Sequence, residues 1–165
     1  MFNSISAKLR DMRTIRQLCE AAEAHALSDQ QRHPGAEHFL LAALDLSDGS
    51  AQLAFERVGA DPAALSRAIE QQYTMSLRSI GMSVESAEME VLPMKAEVGA
   101  YHSAASGQEV MQGLASLRRQ HAPLLGAHVV AIVAAMPSGV AARALRSMNV
   151  DPSALRAAAE ETANS

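Results

Sequence analysis

The chain has 165 residues, which is enough for one compact domain or for two small lobes that share a core. Its net charge is −4 and its basic residues are scattered, which argues against a nucleic-acid-binding protein. A single cysteine excludes an intramolecular disulfide, and no apolar run is long enough for a signal peptide or a membrane span, so we expect a cytoplasmic protein. Hydrophobic residues make up 48% of the chain but aromatic residues only 3%, which predicts a core of small aliphatic side chains and methionine.

The first half of the chain is predicted to contain four helices. Apolar residues at helical spacing indicate a helix over about 12–28, and a nearly all-apolar stretch over 37–46 indicates a buried second helix. Ser50 is predicted to N-cap a short third helix, and Asp61, which precedes a proline, to cap the fourth.

The segment 36–70 then recurs at 126–160. The two copies align without a gap, so that five landmark residues coincide at one constant offset: His38 with His128, Gly49 with Gly139, Asp61 with Asp151, Pro62 with Pro152, and Leu65 with Leu155. The second copy is predicted to follow the same plan of four helices. A duplication of this kind predicts two similar lobes that meet at a pseudo-symmetric seam.

We divide the chain into four segments: an N-terminal extension or short extra helix over 1–10, a first repeat over 11–72, a connector over 73–100 and a second repeat over 101–162. The connector contains four methionines and is predicted to hold at most one or two short helices. It either lines an adaptable groove or, as we favour, packs over the lobes as filler. The predicted fold class is an all-α bundle of about eight helices with pseudo-twofold symmetry.

The sequence contains no motif for catalysis. There is no Walker A motif, no GxSxG elbow and no HExxH, and His25, His33 and His38 lack an accompanying cysteine or carboxylate at a metal-binding spacing. Cys19 lies on the apolar side of its helix beside Leu18 and Ala22, which predicts a small buried hydrophobe rather than a nucleophile. We therefore expect a binding module without catalytic residues, metal or cofactor.

His38 and His128 occupy equivalent positions at the start of the two buried helices. We predict that each ring forms a hydrogen bond with nearby backbone and fixes the entrance to its helix. We favour this structural role over a ligand-binding or catalytic one.

Two short motifs occur in both copies: AEHFLLAAL at 36–44 and GAHVVAIVA at 126–134, then VGADP at 58–62 and MNVDP at 148–152. They resemble the repeats of the N-terminal domain of the Clp ATPases, in which a T-E-H start leads into an aliphatic helix and a later tail ends in G-V-D or G-V-S. The resemblance covers residues 11–72 and 101–162. It implies a pseudo-twofold bundle of about eight helices that recognises substrates or adaptors for a Clp protease.

The resemblance implies protein partners: a Clp ATPase, an adaptor or a substrate polypeptide. No ATPase module accompanies the repeats, which implies a stand-alone copy. Such a copy would act as an adaptor, a competitor or a decoy for the ligands of a full-length Clp ATPase. The alternative is a protein that sequesters a small molecule or peptide in the groove between the repeats. A hydrolase that uses Cys19 is a third and weaker reading.

Some members of the family bind phosphoarginine through the glutamate of each T-E-H. Glu37 matches the first of these glutamates, but Ala127 replaces the second. The threonine that supports the phosphate is replaced by Met12 and His102, although Tyr101 keeps the aromatic residue that precedes it. Alanine cannot pair with a guanidinium group, so we predict that phosphoarginine binding is weak or lost at the second site and weakened at the first. The position of Glu37 in the first turn of a helix is an alternative reason for its presence.

Overall fold

The computed structural model describes residues 2–81, 103–119 and 123–165. These residues form eight α-helices and one short 3-10 helix, with no strand among them, and the all-α prediction is confirmed. In the first repeat the elements are α1 (Phe2–Ser28), α2 (Ala36–Asp45), α3 (Ser50–Arg57), the 3-10 helix (Pro62–Ala64) and α4 (Leu65–Ser79). In the second repeat they are α5 (Ala105–Leu117), α6 (Gly126–Ala134), α7 (Val140–Ser147) and α8 (Pro152–Ala163).

Helix α1 begins at Phe2 rather than near residue 12, so the segment assigned to an extension is continuous with the first helix. Residues 3–14 contain no glycine or proline, and most of them favour helix or tolerate it. The prediction started too late because the buried apolar side chains of α1, Leu18, Ala22 and Ala26, lie in the second half of the helix.

Helix α4 also runs further than expected and includes residues 73–79, which had been assigned to the connector. No glycine or proline interrupts the chain until Gly81, whose φ of 78° lies in the left-handed region that favours glycine. The remaining connector residues, 82–100, lie outside the described part of the chain. The connector's proposed packing is therefore not tested.

The predicted Asp-Pro caps are confirmed in both repeats. Asp61 accepts a hydrogen bond from the N–H of Ala63 at 2.9 Å, and Asp151 accepts one from the N–H of Ser153 at 3.1 Å. These bonds satisfy N–H groups that the helix itself leaves without a partner.

Ser50, by contrast, is the first residue of α3 and not its N-cap. The cap is Gly49, whose φ of 68° again favours glycine. The N–H of Ser50 donates to Asp48 Oδ1 at 2.8 Å, and the Ser50 hydroxyl donates to the same carboxylate oxygen.

Helices α2 and α6 form the centre of the bundle. Residues 36–43 of α2 are buried, as are residues 126–130 of α6, and one hydrophobic cluster contains side chains from both repeats. Its largest fully buried members include Phe39 and Phe55, and the other members are alanine, leucine, valine and isoleucine. Each such ring contributes roughly 1.5–3 kcal/mol of burial free energy. The two repeats therefore share one core.

The seam between the repeats is pseudo-symmetric. Helix α3 packs against α8, and α4 packs against α7, which is the same contact with the repeats exchanged. Helices α2 and α6 contact each other directly on the seam. At Gly126 an added Cβ would lie 2.9 Å from the carbonyl oxygen of Ala43 and 3.1 Å from Cβ of Ala51, so the approach requires glycine. None of the helices in the described ranges is long and apolar enough to cross a bilayer.

Candidate functional site

The two equivalent histidines have the structural role that the sequence predicts. Nδ1 of His38 accepts a hydrogen bond from the N–H of Gly35 at 2.9 Å, and Nδ1 of His128 accepts one from the N–H of Leu125 at 3.0 Å. Each bond joins the third residue of a helix to its N-cap. Each histidine therefore fixes the entrance to a central helix, and this prediction is confirmed.

His38 also ties α2 to the end of α1. Because Nδ1 is an acceptor, the neutral ring carries its proton on Nε2. Nε2 then donates to Oδ2 of Asp29 at 3.2 Å, and the ring is fully buried. Both ring nitrogens are thus used by the fold.

Glu37 matches the glutamate through which some family members bind phosphoarginine, but its side chain is only 6% exposed. Its Oε1 accepts a hydrogen bond from the Tyr73 hydroxyl on α4. The Tyr73 ring stacks on His38, with a centroid separation of 6.2 Å and an interplanar angle of 9°. Burial, and next the bond to the Glu37 carboxylate, raise the pKa of Tyr73 well above its ordinary range. The carboxylate therefore already has an internal partner.

Ala127 lies at the corresponding place in the second repeat and is fully buried. Its N–H donates to Oγ of Ser50 at 2.8 Å, and the preceding N–H of Gly126 donates to Oδ2 of Asp48 at 3.0 Å. The first N–H groups of a helix have no intrahelical partner, and here side chains of the other repeat supply it. The hydroxyl that the sequence assigned to capping α3 therefore caps α6.

The first repeat is capped across the seam in the same manner. The N–H of Ala36 donates to Oγ of Ser106 on α5 at 3.0 Å. The nearby N–H of Ala104 donates to the carbonyl oxygen of Pro34 at 3.0 Å. Neither central helix therefore presents a bare N-terminus to an anion at these positions.

Of the other predicted site residues, Tyr101 and His102 lie outside the described part of the chain. Met12 is on α1, where its side chain is exposed. Its neighbour Asp11 is buried, and Asp11 Oδ1 accepts a hydrogen bond from the N–H of Leu124 at 3.1 Å. This part of α1 therefore lies beside the turn that leads into α6. Sequence reasoning missed Asp11, because nothing local distinguishes it from a solvated acid on a charged helix.

Three large apolar side chains are exposed along one side of α1: Ile5 at 56%, Leu9 at 60% and Met12 at 57%. Their spacing of four and three residues places them on one helix face, and we name this set the apolar stripe. The sequence prediction missed it because it left residues 1–10 outside the first helix.

A cleft of about 350 Å³ lies in the second repeat, where α5, α6 and α8 meet. Gly113, Leu117 and Ile132 give it apolar walls, and His128 and Ala163 also border it. Every lining residue lies between Gly113 and Asn164 and none comes from the first repeat, so this cleft is not the groove between repeats that the alternative function would use.

Candidate metal ligands do not converge in the described residues: no three side chains of His, Cys, Asp or Glu form a set that could hold a metal ion. His25 instead pairs with Asp45, with Nε2 and Oδ2 2.6 Å apart. Cys19 is partly buried and packs against the core, as a small hydrophobe does.

Comparison with known protein families identifies the domain. Residues 13–89 match the family described as the Clp repeat (R) N-terminal domain. The matched residues show the Clp-repeat pattern that the motifs predicted, and domains of this family are non-catalytic and bind proteins. The second repeat lies beyond the matched residues, and its equivalence rests on the constant sequence offset and on the shared histidine and Asp-Pro geometry. A search of curated proteins found no match.

Proposed function

We propose that this chain is a cytoplasmic, non-catalytic interaction module that binds substrates or adaptors of a Clp ATPase, or competes for them, in ATP-dependent proteolysis. The family match supports a Clp-related role in protein binding. The proposal extends that role to a particular kind of partner.

The apolar stripe on α1 is the observation that carries the proposal. Ile5, Leu9 and Met12 are each more than half exposed, although the rest of the helix buries residues such as Leu18 and Ala22 completely. Contiguous exposed apolar surface on a soluble domain marks interaction sites. Anchors at i, i+4 and i+7 are the pattern by which an amphipathic helix enters the groove of a partner.

The charges beside the stripe favour an acidic partner. Lys8, Arg10 and Arg13 are exposed on the same part of α1, whereas Asp11 is buried and bonded to the backbone of Leu124. This end of the helix is therefore basic on a chain whose net charge is −4. Electrostatic complementarity accelerates association and selects partners, so an apolar groove with an acidic rim is the matching surface.

The proposal is tested by binding measurements with purified components. The full chain is immobilised, and the Clp ATPase and Clp adaptors of the same organism are passed over it. We expect saturable binding, which Leu9→Glu reduces at least about tenfold because it places a charge in the centre of the apolar contact. Leu53→Glu is the matched control, since Leu53 is also exposed but lies on α3.

Two results would overturn the proposal. One is that neither the ATPase nor any adaptor binds the wild-type chain. The other is that L53E weakens binding as much as L9E, which would move the interaction away from the stripe. A degradation assay with the complete protease then distinguishes delivery, which accelerates substrate loss, from competition, which slows it.

A further inference from the structure

Asp11 is the only buried side chain among residues 5–17 of α1. It is 3% exposed, and its Oδ1 accepts the hydrogen bond from the N–H of Leu124 at 3.1 Å. Leu124 is itself buried, in the turn that leads into α6. A side chain of the first helix thus supplies the acceptor for a buried backbone N–H that lies 113 positions further along the chain.

The helix itself does not explain an aspartate at this position. Asp11 lies well inside a helix that begins at Phe2, so it is beyond the first turn, where a carboxylate caps free N–H groups or favours the macrodipole. Aspartate is also a poor residue for a helix interior, and a carboxylate is costly to bury unless donors compensate it. The bond to Leu124 provides such a donor, so a tertiary contact accounts for Asp11.

The buried carboxylate and the apolar stripe lie on different sides of α1. At 100° per residue, a general property of α-helices, Asp11 is turned by roughly 130° from the mean direction of the stripe. The bond therefore holds the helix on one side and leaves the stripe facing outward. This agrees with the exposure of all three stripe residues, Ile5, Leu9 and Met12.

The part of α1 that carries the stripe lies outside the hydrophobic core. We name residues 5–14 the arm. The first described side chain of α1 that packs against the core is Ile15, and the first that is completely buried is Leu18. A short helix is marginal in water without tertiary contacts. The order of the arm should therefore depend on Asp11, whereas the core should not depend on the arm.

We propose that Asp11 is a positioning residue of the interaction site: it fixes the arm with the stripe outward and thereby sets the affinity for the acidic partner. The inference rests on the proposed function, because the stripe is the surface that Asp11 presents. A helix that is ordered before binding binds more tightly than one that has to become ordered on binding, since the entropic cost has already been met. The carboxylate of Asp11 is buried against Leu124 and acts through the arm rather than by touching the partner.

The first test needs no partner and measures amide hydrogen exchange by NMR in the full chain. Asp11→Ala and Asp11→Asn remove the same charge, but only the asparagine oxygen can still accept from Leu124. We expect D11A to accelerate exchange at Leu124 and in the arm at least about tenfold, and D11N to stay close to the wild type. Exchange in the central helices, at residues 36–43 and 126–130, should not change in either variant.

The sign of the change separates this role from local helix propensity. Alanine is a better helix former than aspartate, so a purely local effect would slow exchange in the arm of D11A. Unchanged or slower exchange there would overturn the proposal. Equal acceleration in the arm and the central helices, or failure of D11A to fold, would also overturn it, because Asp11 would then support the whole fold.

The second test repeats the binding measurement for the stripe with the same two variants. We expect D11A to bind the partner at least about fivefold more weakly than D11N, which should bind like the wild type. Their equal charge excludes a difference in attraction to an acidic partner as the cause. Equal affinities of D11A and D11N, beside normal binding by the wild type, would overturn the positioning role alone. Absence of binding by the wild type would instead refute the proposed function.

Discussion

The hydroxyl of Tyr73 donates a hydrogen bond to Oε1 of Glu37 across 36 residues of sequence. The bond places an internal partner on the one carboxylate that matches the family's ligand motif. In the second repeat neither half of this pair exists, because alanine stands at both 127 and 163. Both repeats thus have the same arrangement of helices, but the side chains at the starts of their central helices differ.

Free phosphoarginine is expected not to bind the wild-type chain stoichiometrically at micromolar concentration. Glu37 is nearly buried and already bonded to Tyr73, and Ala127 offers no carboxylate for a guanidinium group. Isothermal titration calorimetry checks this prediction. Tyr73→Phe is the informative variant, since it releases Glu37 while keeping the ring, and any residual affinity should rise in it. Tight stoichiometric binding by the wild type would refute the prediction.

Stability should decline more steeply at alkaline pH in the wild type than in Tyr73→Phe. Burial and the bond to Glu37 raise the pKa of Tyr73 in the folded state, whereas an unfolded tyrosine titrates near about pH 10. Below that pH both states hold the proton and the stabilisation is complete. Above it the unfolded state loses its proton first, so the free energy of unfolding falls as pH rises.

Urea denaturation between about pH 8 and pH 11 measures this slope, and the window is set by the ordinary tyrosine pKa. Other groups titrate in the same range, so the difference between the two proteins is the relevant quantity. Parallel stability curves would show that Tyr73 titrates normally in the folded state.

The parts of the fold that sequence predicted are those set by local chemistry. Asp61 and Asp151 cap helices because an aspartate before a proline satisfies the first free N–H groups wherever it occurs. The histidines were predicted correctly for a similar reason, since each bonds an N–H only three residues away.

The parts that sequence missed depend on contacts between distant segments. Ser50 was assigned to its own helix, yet its hydroxyl accepts from Ala127, 77 positions along the chain. Nothing near Ser50 signals this partner. Tyr73 lay outside the predicted repeat, although continuing the constant alignment three residues beyond residue 70 would have paired it with Ala163 and exposed the asymmetry.

Ser50→Ala should lower the free energy of unfolding by about 1 kcal/mol or more. It removes the acceptor that caps Ala127 across the seam and leaves a buried N–H without its partner, which costs roughly 1–3 kcal/mol. Ser66→Ala, at an exposed position of α4, is the matched control and should change stability little. Chemical denaturation of both variants and of the wild type measures these changes. If Ser50→Ala is as stable as the wild type, the bond from Ala127 to Ser50 contributes nothing to stability.

Gly126→Ala should destabilise the fold by about 1–3 kcal/mol through overpacking. The new methyl group would meet the carbonyl oxygen of Ala43, which belongs to a rigid central helix. Gly113→Ala is the contrast, because its methyl would meet only side-chain atoms of Ile132, at 2.9–3.2 Å, and no backbone atom, while alanine favours the interior of α5. Thermal melts should therefore show a clear loss for G126A and a small change for G113A. A larger loss of stability in G113A than in G126A would contradict a tight approach of Gly126 to the carbonyl oxygen of Ala43.

Replacement of His38 should reveal which of its nitrogens matters more. Asparagine places a polar acceptor near the position of Nδ1, so His38→Asn can keep the bond from the N–H of Gly35 while it loses the Nε2 bond to Asp29. His38→Leu loses both bonds and leaves the Gly35 N–H buried, at a cost of about 1–3 kcal/mol beyond that of the asparagine variant. Urea denaturation of the two variants measures this difference. If asparagine is no better than leucine, then the bond to Asp29 and the stack on Tyr73, rather than the helix entrance, account for the role of His38.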